Sequence, residues 1–302
     1  MHVKRIRAFI AALIIIFVSG GVLLAWEPTS PEVQQKATWL WDTTKIVSDR
    51  ERLLQFLTEQ QVTTLYLQIN PEVPVEDYQT WMKELRVRGI ETHALGGDPK
   101  WASPDPADRL GAQEFAQWIV RYQSLAGEQE AFTGIHLDVE PYLHQEWNSR
   151  KKEIIDAFQT VLHEIGTEAK KQNLLFGVDI PFWLHEIGYV NKFGHGNLAE
   201  WVMNQTDMVT IMAYRNHADR SGGILEIVEP LFQLAETAKS PLVIAVETTD
   251  QPEEYVSFSG MSPERMKEEL QQVHNRYGEN PSFAGIAIHD AWNWMALEGY
   301  SY

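Results

Sequence analysis

Eight short β-rich runs alternate with helical patterns along the chain, and this alternation limits the fold more than any single motif does. The runs are Thr38–Thr44, Val62–Asn70, Ile90–Asp98, Phe132–Pro141, Leu174–Trp183, Asp207–Arg215, Pro241–Asp250 and Phe283–Trp292. Helical periodicity fills residues 49–60, 75–89, 107–130, 147–172, 222–239 and 263–277, with a short helix expected near 197–204. Strand, helix, strand in succession makes a parallel pair, and eight such units close into a (β/α)8 TIM barrel. A length of 302 residues suits one such domain, here over 38–302. Only a few residues follow the eighth run, so the final helix is expected to be reduced. The competing α/β fold is a doubly wound open sheet. It needs a Gly-rich phosphate loop opening a helix, and no run is followed by one.

The first 25 residues are a separate object. Lys4, Arg5 and Arg7 precede an uncharged apolar run from Ala8 to Ala25. A basic flank followed by an apolar stretch is the pattern of an N-terminal signal peptide or signal anchor. The run is short for a membrane span, and Leu23 spoils the small-x-small cleavage pattern before Ala25. Both alternatives therefore stay open, and each places the rest of the chain outside the cytoplasm, secreted or membrane-anchored. Residues 26–37, with Pro28, Ser30 and Pro31, read as a linker.

Composition removes several classes of function. A formal net charge of −17 leaves no basic surface for nucleic acid. With Cys at zero there are no disulfides, thiolate metal sites, iron–sulfur clusters or cysteine nucleophiles. No phosphate loop and no Gly-x-Ser-x-Gly elbow is present, which argues against a nucleotide enzyme or a serine hydrolase. No cofactor is expected. A metal site is not expected either, since His136, Asp138, Glu140 and His289 lack a His pair at ligand spacing. The 11 Trp side chains fit a large core, and equally the flat apolar faces on which sugars stack.

In such a barrel the chemistry sits at the C-terminal strand ends. Trp41 closes the first run, Asn70 the second, Asp179 and Trp183 the fifth, Tyr214 and Arg215 the sixth. Glu247 closes the seventh, and His289, Asp290 and Trp292 the eighth. The fourth run carries His136, Asp138 and Glu140 at every second position, with Ile135, Leu137 and Val139 between them. Side chains alternate along a strand, so the polar set shares one face and the apolar set the other. If the apolar set meets the helices, the polar set points into the barrel axis. A carboxyl beside other carboxylates in a dry barrel mouth is suited to donate a proton to a leaving oxygen.

The sequence Thr133-Gly134-Ile135-His136-Leu137-Asp138-Val139-Glu140 resembles the strand-four motif of family 18 glycoside hydrolases, the chitinase family. That motif is an acidic residue, Gly, then Asp-x-Asp-x-Glu. Gly134, Asp138 and Glu140 match it, whereas Thr133 and His136 stand where the family has acids. Met212-Ala213-Tyr214-Arg215 matches the Met and Tyr of the family's strand-six motif and has Arg for its Asp. Trp292 stands near the Trp that closes strand eight. The resemblance implies an O-glycosyl hydrolase with Glu140 as general acid. Asp138 would orient the substrate's N-acetyl group and Tyr214 would steady it.

Glu247 keeps a second mechanism open. Retaining glycosidases pair an acid/base after strand four with a nucleophile after strand seven, here Glu140 and Glu247. The Asn that usually precedes such an acid/base is replaced by Val139. Trp41, Asn70, Asp179, Trp183, Arg215, His289, Asp290 and Trp292 are the candidate sugar-binding residues, Arg215 for a carboxylate on an acidic sugar. The expectation is an exported monomer acting on a polysaccharide or cell-wall glycan. A catalytically inactive glycan-binding barrel on the cell surface is the contrary class.

Overall fold

The computed structural model describes residues 34–300. The N-terminal segment 1–25 and most of the expected linker lie outside them. Ten strands are present: β1 Gln35–Leu40, β2 Thr64–Gln68, β3 Glu91–Gly96, β4 Gly134–Leu137, β5 Leu175–Pro181, β6 Gly188–Asn191, β7 Gly194–Asn197, β8 Met208–Met212, β9 Leu242–Glu247 and β10 Phe283–His289. Eight of them form a closed barrel in the order β1-β10-β9-β8-β5-β4-β3-β2, with every pair parallel. The helices are α1 Lys45–Ser48, α2 Arg50–Glu59, α3 Val75–Val87, α4 Leu110–Leu125, α5 Trp147–Lys171, α6 Leu198–Gln205, α7 Ile224–Ala238, α8 Pro263–Tyr277 and α9 Ala291–Leu297. The fold is the expected (β/α)8 barrel, and α9, at 7 residues, is the reduced final helix.

The boundaries differ from expectation in two ways. β1 starts at Gln35, so the end of the expected linker already belongs to the barrel. Gln35 pairs with Gly285 and donates its side-chain amide to the Tyr66 hydroxyl at 3.0 Å. A polar residue facing the barrel interior hides a strand start from hydrophobic patterning. At the other end most runs outlast their strands. Trp41, Asp138, Glu140, Tyr214 and Asp290 all lie past the last regular pairing and form the rim. The antiparallel hairpin β6–β7 was not expected. Its strands hold Gly188, Gly194 and Gly196 among polar residues and carry no apolar period to read.

Alternation along each strand builds two cores. The outward set, including Ile135, Leu137 and Val139, is fully buried between strands and helices. The inward set contains Ala37, Trp39, Tyr66, Leu95, Val243, Ala245 and Ala287. Bulky Trp39 and Tyr66 fit because several inward positions are small. Gly134 is one: a Cβ there would lie 2.7 Å from the ring of His93. The glycine of the strand-four motif thus makes room for a buried imidazole. Gly97, just past β3, is required by a close backbone approach instead, since a Cβ there would lie 1.8 Å from the backbone oxygen of Asp138.

Candidate active site

The inward face of β4 places His136 in the axis, fully buried. Its Nε2 lies 2.7 Å from Asp179 Oδ1 on β5, and the Trp39 indole on β1 donates to Asp179 Oδ2 at 3.1 Å. Tyr66 stacks on the imidazole, with 3.7 Å between ring centroids and 13° between planes. Burial pushes His136 down to about 3, and burial with neighbouring His136 does the same to His93. Both rings are thereby held toward the neutral form, and His136 Nε2 and Asp179 Oδ1 share one hydrogen bond. The acid missing from the strand-four motif is therefore met in space by Asp179, one strand over.

Asp138 follows on the same face, and its backbone N–H donates to Gly96 O at 3.0 Å. Its Oδ1 is buried with no hydrogen-bond partner in the protein. Burial, then the charges of Asp179 and Glu140, raise its pKa well above the ordinary carboxylate value. Asp179 is likewise raised by burial, against the pull of the Trp39 hydrogen bond. Two buried carboxyls that close in effect do not both ionise readily.

Glu140 is half-buried and ends the run in a left-handed backbone, φ 47° and ψ 62°. Residues other than Gly rarely adopt this region, and Pro141 disfavours it further. Such a backbone costs on the order of 1–3 kcal/mol and concentrates at functional sites. The Tyr142 hydroxyl donates to Glu140 Oε1, and the Tyr142 ring meets Trp183 edge-on at 4.9 Å. Sequence reasoning missed Tyr142 because it followed strand ends, and Tyr142 belongs to the 3-10 turn Pro141–Leu143. A phenol two residues beyond the acid, across a proline, was the available signal.

Across the barrel, Glu247 is buried, and its Oε1 accepts from the backbone N–H of Thr248 at 2.8 Å and Thr249 at 2.6 Å. His289 Nδ1 on β10 lies 3.1 Å from the same oxygen. Burial alone would raise Glu247; the bond and charge of His289 with the Thr249 contacts overcome it, and its pKa is lowered. Burial alone would lower His289; the Glu247 bond and charge overcome it, and its pKa is raised. The Trp41 indole donates to His289 Nε2 at 2.8 Å. Tyr214 lies 6.1 Å from His289, ring to ring. Its phenol is held protonated by burial and then by the charges of Glu247, Asp138, Asp179 and Glu140.

Asp138, Glu140, Tyr214, Glu247, Asp179, Trp41, His289 and Trp183 are thus linked by direct contacts or mutual electrostatics around one mouth. Other sequence candidates are engaged in the fold. Asn70 closes its own turn, accepting from Glu72 N at 3.0 Å. Asp290 caps α9, accepting from Asn293 N at 3.0 Å. Trp292 packs against the outer core with Lys45 over its ring at 4.5 Å, and does not join the axial cluster. Arg215 donates to Gly222 O at 3.1 Å and Tyr214 O at 2.7 Å, and lies between the rings of Phe182 and Tyr255. It braces three rim loops. Beside the mouth, an open groove of about 560 Å³ runs past Gln68, Gly97, Trp101 and Trp118. Among the described residues no three His, Asp or Glu side chains are arranged to hold a metal ion. No described helix is long and apolar enough to cross a membrane.

A closed barrel of eight parallel strands with helices outside it, whose C-terminal mouth gathers carboxyls, phenols and indoles, is a (β/α)8 fold. The solved structures it is similar to include the class V chitinase from Nicotiana tobaccum. The match has a TM-score of 0.53 and 12% identity and covers 86% of this chain and 94% of that one. The Bacillus megaterium QM B1551 spore cortex-lytic enzyme SleL matches with a TM-score of 0.52 and 12% identity, over 88% of this chain and 73% of that one. The likeness to chitinase-type barrels expected from the motif is therefore present in the fold. No protein-family model matches the sequence, and a search of curated proteins found no match.

Proposed function

We propose that the chain is a glycoside hydrolase that acts outside the cytoplasm on a polysaccharide or cell-wall glycan, with Glu140 as general acid. The observation that carries this is the pairing at the end of β4. A half-exposed Glu140 stands beside a half-buried Asp138, whose Oδ1 is buried and unclaimed and whose carboxyl is pushed toward its neutral form. Glu140 gives its proton to the glycosidic oxygen. Asp138 accepts the N–H of an N-acetyl group whose carbonyl oxygen attacks the anomeric carbon. Tyr214, kept as a phenol, donates to that carbonyl oxygen and holds it in line.

The engagement of Glu247 favours this substrate-assisted route over double displacement. A nucleophile needs a free oxygen facing the sugar, and here Glu247 Oε1 accepts two backbone N–H groups while Oε2 lies 3.1 Å from His289 Nδ1. We place the protein outside the cytoplasm on the strength of its basic, apolar N-terminus, and take it to work as a monomer.

The test is a reducing-end assay on amino-sugar, uronic-acid and neutral polysaccharides, with wild type and Glu140→Gln. Positioned acid catalysis is worth about 10²–10⁴-fold. The variant should lose that much turnover on the cleaved substrate while keeping its fold and glycan affinity. Binding without release of reducing ends by wild type would make the protein a silent glycan-binding barrel.

A further inference from the structure

We propose that Tyr142 is the positioning residue of the proton donor, holding one oxygen of Glu140 so that the other alone meets the glycosidic oxygen. The inference rests on the glycosidase reading above. Glu140 sits in a backbone conformation opposed both by its own Cβ and by the proline after it. A residue kept there needs ties on both sides. Leu143 N donates to Glu140 O at 3.0 Å, and Asp138 N to Gly96 O at 3.0 Å. Those bonds fix the backbone. The side chain is fixed by Tyr142, which donates its hydroxyl to Oε1. Tyr142 is itself half-buried, with its ring against Trp183 at 4.9 Å and 70°.

Tyr142 keeps its proton and so has one to donate to a carboxylate oxygen. Burial, then the charge of Glu140 and the hydrogen bond to it, raise the phenol far above its ordinary value. With Oε1 occupied, Oε2 carries the transferable proton. When the bond between the anomeric carbon and the leaving oxygen breaks, its electron pair stays on that oxygen. The proton passes from Oε2 to the leaving oxygen, and Glu140 is left as a carboxylate. The Tyr142 hydrogen bond strengthens as that negative charge appears, so it acts more on the transition state than on the bound substrate. In the return step Oε2 takes a proton from the attacking water. Tyr142 keeps its own proton throughout.

Two measurements test this on the full chain. In protein labelled with 3-fluorotyrosine, the ¹⁹F resonance of residue 142 is assigned by its loss in Tyr142→Phe and compared in wild type and Glu140→Gln at neutral pH. Replacing the charged hydrogen-bond acceptor should shift the resonance of residue 142, and an unchanged resonance would overturn the proposal. The second measurement uses dinitrophenyl and alkyl glycosides of the sugar cleaved in the polysaccharide panel. Alkyl leaving groups need a proton and dinitrophenolate hardly does. Tyr142→Phe should slow kcat on the alkyl glycoside about 10- to 100-fold, with KM and the dinitrophenyl rate little changed. Equal slowing on both, the mark of a merely structural role, would also overturn it. If Glu140→Gln spares neither leaving group in first-turnover release, which precedes the return step, the glycosidase reading fails. If it spares dinitrophenolate while Tyr142→Phe behaves as wild type, that reading stands and this inference falls.

Discussion

The indole nitrogen of Trp41 lies 2.8 Å from Nε2 of His289, a contact in which the indole donates and the imidazole must offer a lone pair. His289 Nδ1 faces Glu247 on its other side. The ring therefore ties a candidate sugar platform on one strand end to a buried carboxylate on another, and its protonation state decides whether the first tie holds.

The pH dependence of that tie follows from the raised pKa of His289. A histidine raised in the fold contributes stability fully below its unfolded value of 6.5. That contribution is lost as pH rises through the folded value. Urea unfolding of wild type and His289→Asn should differ most below pH 6.5 and converge at higher pH. The Trp41 bond runs the other way and forms only as His289 deprotonates. Glycan affinity should therefore rise with pH across the same window, and the rise should be absent in His289→Asn. A constant gap between the unfolding midpoints would contradict the Glu247–His289 coupling.

His93 and His136 give the opposite sign. Both are pushed down to about 3 by burial. Their contribution is present above 6.5, the unfolded value, and is lost as pH falls toward 3. Each should cost about 1.4 kcal/mol of stability per pH unit within that window. Denaturant midpoints at pH 7, 5.5 and 4.5 check this, and His93→Gln should flatten the slope.

Asp138 sets activity against stability. Its raised pKa means the fold prefers it neutral, so its contribution is greatest below the unfolded value of 3.8 and is lost as pH rises through the folded value. Asp138→Asn has no charge to bury. At pH 7–8 the variant should melt at a higher temperature than wild type, with the gap closing near pH 4. Its turnover should fall by about two orders of magnitude or more, as expected when a group acting on the transition state is lost. A variant less stable at pH 8 would show that Asp138 is ionised in the resting fold.

Glu247 should carry no covalent intermediate. A 2-deoxy-2-fluoro glycoside of the cleaved sugar, followed by peptide mass mapping, should leave the Glu247 peptide unmodified, whereas a thiazoline analogue should inhibit strongly. Glu247→Gln should keep substantial activity. A fluoroglycosyl adduct on Glu247 would reverse the preference for substrate assistance.

The eight alternating runs determined the barrel, because strand and helix periods are local properties of side-chain order. The facing of β4 was legible for the same reason: Ile135, Leu137 and Val139 are buried among the helices, and that leaves His136 and Asp138 to the axis. The hairpin β6–β7 escaped because glycine and polar residues carry no such period. What a candidate side chain touches was not legible at all. His136 and Asp179 are 43 residues apart, Trp39 and Asp179 140, and Trp41 and His289 248. Only barrel closure, which makes β1 the neighbour of β10, brings the last two together. Asn70 and Asp290 are engaged locally, in a turn and a helix cap, and Trp292 packs against the outer core, though by sequence all three stood at strand ends as Glu140 does. The residue types at the mouth were determined by the sequence itself. Their partners, their charge states and the tie between Tyr142 and Glu140 were decided by tertiary structure, because burial and neighbouring charges depend on distances in space, not on positions along the chain.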